Sequence, residues 1–235
     1  NRELRESSEK VNFVNQVSHE LKTPLTNIRM YAELLEERLD ETDPKANKQL
    51  GVIVSESHRL SRLINNVLSF ARQDRQKLKL NLRSTYIDEI IDSVLAHFTP
   101  LLTKKGIFCS AEKNAPHCFD LDPDALEQIL GNLLSNVEKY VPKNGQVFIE
   151  SKQTEKETTI TVRDNGHGVP KAQQSEIFKA FHRASSRNAD GVSGTGIGLS
   201  ISKELARLHG GDLILASSEK GATFILTIPH KGAQS

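Results

Sequence analysis

Ser18-His19-Glu20-Leu21-Lys22-Thr23-Pro24-Leu25 lies inside a run whose apolar residues decide the first part of the fold. Val14, Leu21, Leu25, Ile28, Ala32, Leu35 and Leu39 follow alternating steps of three and four, with one gap at Ser18 and Val11 just ahead, and so trace one helical seam. At about 100° per residue, His19 falls far round the helix from Leu21, and Thr23 shares its face. His19 is therefore expected to point to solvent. Pro24 removes a backbone donor from the same helix and favours a bend one turn past His19.

Beyond this helix, Asp40-Glu41-Thr42-Asp43-Pro44 supplies turn residues, with proline suited to a following helix start. Leu50, Ile53, Ser57, Leu60, Ile64, Val67 and Ala71 then repeat the seam spacing, with Val54 and Leu68 beside it. Residues 1–75 thus read as a helical hairpin. Two helices with one apolar seam each bury those seams best in a four-helix bundle made by dimerisation. Docking of the hairpin on the rest of its own chain is the alternative. The polar run 72–77 marks the expected boundary with a second domain, 76–235.

The 235 residues suffice for two modest domains with real cores. Charged residues make up 26% and the formal net charge is +1, which indicates no strong field toward nucleic acid or an anionic membrane. Cys109 and Cys118 lack metal-type spacing and point to a reducing compartment without a disulfide framework. No apolar run approaches the length of a membrane span and no signal peptide is visible, so a cytoplasmic location is expected. The chain opens at Asn1 within a charged helical pattern, as a fragment whose natural N-terminal neighbour is missing would.

The second domain alternates strand and helix patterns. Leu78, Leu80 and Leu82 are spaced by two as in a strand, and residues 88–102 are helical in pattern. Short strands are expected near 107–110 and 117–121. Asp122-Pro123-Asp124 reads as a cap for a helix over 125–140. Residues 146–152 and 158–163 form an expected hairpin, 164–193 a long polar lid, 195–209 a helix, and 212–216 with 222–228 the closing strands. The whole is α+β, with helices layered on one face of a mixed sheet.

Four stretches in this domain carry chemistry. Asn132 and Asn136 share a helix face, with Lys139 on the same flank and Tyr140 following. Neutral oxygens suit Mg²⁺, and lysine gives phosphate a point charge, although asparagines on a helix face also serve simply to solvate it. Asp164-Asn165-Gly166-His167-Gly168 ends a strand, where a carboxylate can accept from a base amino group and glycines permit close backbone approach. Gly194-Thr195-Gly196-Ile197-Gly198 precedes a helix whose first amides can converge on phosphate. It is not a P-loop, since no Gly-Lys-Ser/Thr follows, and a lid rather than a strand precedes it. Phe178, Phe181 and Arg183 lie in the lid, as loop anchors or as nucleotide contacts.

The order of these stretches, joined to Ser18–Leu25, resembles the catalytic core of the sensor histidine kinases of two-component signalling. The resemblance runs from about Val11 to Ile228. It implies a dimerisation and histidine-phosphotransfer hairpin followed by an ATP-binding domain of the Bergerat type, an α/β sandwich shared with gyrase-like ATPases. His19-Glu20-Leu21-Lys22-Thr23-Pro24-Leu25 matches the family's histidine box, which makes His19 the phosphoacceptor. Asn132 and Asn136 match the asparagine box, Asn136 being the implied Mg²⁺ ligand, with Lys139 and Tyr140 at the nucleotide. Asp164 matches the carboxylate that reads adenine. Gly166 and Gly168, then Gly194 with Thr195, Gly196, Gly198 and Leu199, match the glycine boxes, while Phe178 and Phe181 match the phenylalanine box and Arg183 is within reach of a terminal phosphate. Val137 and Glu138 depart from the small and apolar residues usual after the second asparagine.

The implied activity is ATP-dependent phosphorylation of His19, with Glu20 as general base, then transfer to an aspartate of a response regulator. Thr23 is placed to orient water for dephosphorylation of that regulator. The implied partners are a second copy of the chain and a receiver domain. A gyrase- or heat-shock-type ATPase clamp is the rival class, and it has no use for an exposed histidine on a dimerising hairpin. A zinc hydrolase fails because the second histidine of H-E-x-x-H would fall at Thr23. A non-catalytic dimeric scaffold would not need every nucleotide-contact position filled.

Overall fold

In the computed structural model the chain forms two compact units, Asn1–Leu78 and Lys79–Ser235. The described residues are 25, 26, 28–33, 35, 46, 49–54, 57, 60, 61 and 64 in the first unit, and 80–180, 182, 196–218 and 220–230 in the second. His19, Glu20, Thr23, Pro24, Phe181, Arg183, Gly194 and Thr195 lie outside them.

Every described residue of the first unit is helical. Leu25 and Ala32, seven apart, are buried, as are Leu50, Ser57 and Ile64 at the same interval. The other row of each seam is exposed: Ile28 (52%), Leu35 (52%), Ile53 (43%) and Leu60 (47%). A repeat of alternating threes and fours gives each helix two apolar rows, and one row of each is covered within the chain. Arg29 and Glu33 pair across one turn at 3.6 Å.

The second unit starts with β1 (Arg83–Thr85), α1 (Ile87–Lys104), β2 (Phe108–Asn114), β3 (Phe119–Leu121) and α2 (Pro123–Tyr140). It continues through β4 (Gln146–Gln153), β5 (Glu157–Asp164), a 3₁₀ turn (Lys171–Gln173), α3 (Gly198–Leu208), β6 (Asp212–Ala216) and β7 (Thr223–Pro229). The main sheet has the order β2-β4-β5-β7-β6, with β2 parallel to β4 and the remaining pairs antiparallel. Period-two burial decides which face is covered. Val147, Ile149, Ser151, Thr158, Ile160, Val162, Phe224, Leu226 and Ile228 are buried, whereas their strand neighbours are not. The three helices among the described residues therefore layer on one face. α2 is the central helix, touching both α1 and α3, and Leu126, Ile129, Leu130, Leu133 and Leu134 are fully or almost fully buried along it.

Asp122 explains why α2 starts where it does. Its Oδ1 accepts from the Ala125 amide at 3.1 Å as an N-cap, with Pro123 at the first helical position. The Asp122 amide in turn donates to Nε2 of the buried His209 at 3.1 Å, and His209 Nδ1 donates to the Leu205 carbonyl at 2.7 Å. This pins the end of α3 to the start of α2. It also fixes the neutral tautomer of His209 with its proton on Nδ1.

Three expectations are corrected. Leu80 and Leu82 are not in a strand: β1 begins at Arg83, and the Asn81 amide donates to Asp122 Oδ2 at 2.8 Å instead of to a ladder partner. The short strand β1 pairs antiparallel with β3 in a separate two-stranded sheet. The last helix begins at Gly198, not Thr195, and β2 runs four residues past Ser110 to Asn114. Asp88 explains that extension's far end. It accepts from the Ala115 amide at 3.0 Å and the Ser151 hydroxyl at 2.6 Å, and Ser151 Oγ accepts from Asn114 at 2.8 Å.

Candidate functional site

Asp164 is the last residue of β5, and two strands hold it. Its amide donates to the Ala222 carbonyl at 2.9 Å, while its Oδ1 accepts from the Gly166 amide at 2.8 Å and the Ala222 amide at 3.3 Å. Burial raises the Asp164 pKa, and these two amide bonds partly offset that rise. Oδ2 takes no hydrogen bond from the described residues, so one lone-pair-bearing oxygen remains to accept from a ligand.

This arrangement needs glycine at position 221. Gly221 has φ +73°, and a Cβ there would sit 1.9 Å from the Asp164 carbonyl oxygen. Gly168 reaches the same spot from the other side, its own Cβ position lying 2.6 Å from the Gly221 carbonyl oxygen. The turn after β5 and the turn before β7 thus meet backbone to backbone beside the Asp164 main chain.

Asn132 is buried in the middle of α2. Its Nδ2 donates to the Gly198 carbonyl at 3.2 Å and to Ser202 Oγ at 3.1 Å. A Cβ on Gly198 would press the Asn132 carboxamide at 3.3 Å, so glycine sets how closely α3 begins against α2. The α3 N-terminus has no side-chain cap: Ile197 precedes it with no such bond. Among the described residues no side chain caps its first amides, which suits an anion there in line with the helix dipole. Asn136 and Lys139, one turn and two turns on from Asn132, are half-buried, and Tyr140 is exposed.

Phe178 follows the 3₁₀ turn, beside the buried Ile177. Its ring stands edge-on to Phe224 of β7 at 6.5 Å, and the Lys203 ammonium of α3 lies 4.6 Å from its centroid. The first part of the long loop is thus fixed to the domain. The predicted residues Asn132, Asp164, Gly166, Gly168, Phe178 and Gly198 are linked through α2, α3, β5 and β7. Four participants were not foreseen: Ala222, Ser202, Lys203 and Gly221. Ser202 was within reach of the pattern, since it lies four residues after Gly198 on the same helix face. Ala222 was not, because it acts through its backbone.

Among the described residues no group of histidine, cysteine and carboxylate side chains is arranged to hold a metal ion. Among those residues no helix is long and apolar enough to cross a membrane. Cys109 and Cys118 are free thiols.

Residues 9–76 match the family model of the His Kinase A (phospho-acceptor) domain, and residues 121–232 that of the Histidine kinase-, DNA gyrase B-, and HSP90-like ATPase. The sensor histidine kinase WalK of Bacillus subtilis is 34% identical over 229 residues, covering 96% of this chain and 38% of that protein. The sensor protein SrrB of Staphylococcus aureus is 28% identical over 221 residues, covering 94% and 38%. The chain therefore spans less than two-fifths of the length of these curated relatives. Among solved structures, full-length ShkA in complex with AMPPNP aligns with a TM-score of 0.66 at 26% identity, over 93% of this chain and 46% of ShkA. The catalytic domain of histidine kinase ThkA aligns at 0.58 and 26% identity, over 64% of this chain and 99% of that domain. An ATPase match alone would leave gyrase-like clamps open. A phospho-acceptor match on the same chain does not, and the chain belongs to the sensor histidine kinases.

Proposed function

We propose that the chain is the ATP-dependent autokinase and phosphotransfer core of a two-component sensor, with residues 1–75 as the dimerising phosphoacceptor domain and 76–235 as the nucleotide domain. The observation that carries this reading is the pairing of a phospho-acceptor match containing His19 with an ATPase domain whose Asp164 keeps one oxygen for a ligand.

In this reading Asp164 Oδ2 accepts from the adenine amino group, and the uncapped start of α3 at Gly198 and Leu199 receives phosphate oxygens. Gly194, Thr195 and Gly196 extend that anion cradle. Asn132 acts chiefly by positioning α3. Asn136 would offer Mg²⁺ a neutral oxygen, and that ion, when bound, would neutralise charge on the phosphates. Lys139 and Arg183 add positive charge toward the phosphates, with Tyr140, Phe178 and Phe181 lining the nucleotide.

His19, as the neutral imidazole, attacks the γ-phosphorus through one ring nitrogen. The nitrogen–phosphorus bond forms as the bond to the β,γ-bridging oxygen breaks, and ADP leaves with that electron pair. The proton on the other ring nitrogen passes to Glu20. A receiver-domain aspartate then takes the phosphoryl group, and Thr23 orients water for the reverse, hydrolytic activity. The exposed rows Ile28/Leu35 and Ile53/Leu60 support a homodimer, since a second hairpin covers them.

Incubation with γ-labelled ATP and Mg²⁺ tests the reading. Acid-labile, base-stable label that disappears in His19→Gln is expected. Acid-stable label, or label retained by His19→Gln, overturns it.

A further inference from the structure

Lys203 is half-buried on α3, five residues past Gly198, with only 18% of its side chain exposed. Its ammonium donates to Asp212 Oδ2 at 3.0 Å and the Leu213 carbonyl at 2.8 Å, and it lies 2.9 Å from Asp212 Oδ1. Arg207, one turn on, shares that carboxylate at 3.6 Å. The same ammonium lies 4.6 Å from the centre of the Phe178 ring. An ammonium this close to an aromatic ring is attracted by the ring's quadrupole, and partial desolvation strengthens the attraction. The two oxygens of β6 fix where the charge sits, so the ring is drawn to a point set by the sheet. Phe224 also meets the ring edge-on at 6.5 Å. Lysine is suited to this place because its compact charge can satisfy two oxygens while its flexible stem lies along the helix.

We propose that Lys203 is a positioning residue for the nucleotide site, clamping Phe178 to the helix that opens at Gly198 and so coupling the aromatic wall of the site to its phosphate-facing end. The inference rests on Phe178 belonging to the nucleotide site, as proposed above. Burial opposes the charged form of Asp212, but the hydrogen bond from Lys203, the Leu213 amide and the charges of Lys203 and Arg207 together hold its carboxyl below the usual range. The anchor of the clamp is therefore ionised at neutral pH.

The experiment is a double-mutant cycle on the full chain, read as affinity for a fluorescent ATP analogue with Mg²⁺. Phe178→Leu and Lys203→Met are each expected to weaken binding by roughly fivefold, and the double variant no more than Phe178→Leu alone. Lys203→Arg, which keeps a cation able to face both the ring and Asp212, is expected to restore affinity to within about twofold. Melting temperatures are measured alongside, because a merely structural lysine would lower stability without coupling to Phe178. If Lys203→Met does not fold, Lys203→Gln takes its place in the cycle. Additive losses, or unchanged affinity in the lysine variant, overturn the clamp. Unchanged affinity in Phe178→Leu overturns the placement of Phe178 on which the clamp depends, and the clamp with it. A wild-type chain that binds no nucleotide instead overturns the proposed function itself.

Discussion

Asn132 Nδ2 lies 3.2 Å from the carbonyl oxygen of Gly198, so the middle of α2 is hydrogen-bonded to the first residue of α3. The same amide also reaches Ser202 at 3.1 Å. The two asparagines of α2 thus have different surroundings although they lie one turn apart: Asn132 is buried between helices and Asn136 is half-buried.

Their substitutions should separate accordingly. Asn132→Ala removes the bond to the Gly198 carbonyl and leaves the buried Ser202 hydroxyl without this partner, which costs about 1–3 kcal/mol. It should lower stability in urea denaturation as well as nucleotide affinity. Asn136→Ala should leave the urea midpoint nearly unchanged and weaken nucleotide binding only when Mg²⁺ is present, as calorimetric titration with and without the ion will show.

Asp164→Asn separates stability from binding in the opposite sense. The folded-state pKa of Asp164 is raised by burial. The neutral acid is thus favoured by the fold, and its contribution to stability is present below the unfolded pKa and lost as pH rises through the folded one. An asparagine oxygen can still accept from Gly166 and Ala222, which turns the amide's donors toward the ligand in place of Oδ2. The unliganded variant is expected to melt no lower than wild type at pH 7. Its ATP affinity is expected to fall about tenfold or more, the scale for a hydrogen bond to a charged group. Equal affinities in a nucleotide titration would remove Asp164 from the base-reading role.

Gly221→Ala and Gly51→Ala should move stability in opposite directions. At 221 the new Cβ meets the Asp164 carbonyl oxygen at 1.9 Å from a backbone with positive φ, whereas nothing lies within 4 Å of a Cβ at the helical Gly51. The first change should destabilise by more than about 2 kcal/mol, combining left-handed strain with a clash. The second should stabilise the first unit by about 1 kcal/mol through helix propensity. Thermal unfolding of the two variants checks both signs.

The Lys203–Asp212 pair predicts an acid-side dependence. Because the folded pKa of Asp212 is depressed, the pair's contribution is fully present above the unfolded value of about 3.9 and is lost as pH falls through the lower folded value. Wild type and Asp212→Asn should differ in melting temperature at neutral pH and converge at the acid end. The difference should be modest, since the Asp212 side chain is 43% exposed and solvent screens it. Parallel curves across the whole range would mean that the ion pair contributes nothing.

Periodicity made much of this molecule readable. The heptad intervals Leu25/Ala32 and Leu50/Ser57/Ile64 follow from spacing alone, and so do the Asp122 cap of α2 and the alternation of β4, β5 and β7. Leu80 and Leu82 misled because alternation cannot say whether a ladder partner exists, and here a side chain from forty-one positions away takes the Asn81 amide. The candidate site residues could be named by motif because side chains and glycines at fixed offsets define the motifs. Ala222 escaped because its contribution is a backbone amide delivered by strand pairing across fifty-eight residues. Lys203 escaped because one turn of a helix full of polar residues does not announce which of them meets an aromatic ring.

The doubly held Oδ1 of Asp164 has a bearing on base choice. With that oxygen committed to Gly166 and Ala222, a base bound there meets a single acceptor in one fixed direction. A purine carrying an amino group at that point completes it, whereas one carrying a carbonyl sets two acceptors against each other in a partly buried place. If Asp164 reads adenine as proposed, retuning this chain to guanine nucleotides is no one-residue exercise. The new side chain must present a donor outward while still accepting from two backbone amides, so an asparagine at 164 is the starting point for that redesign, and the walls around it would have to follow.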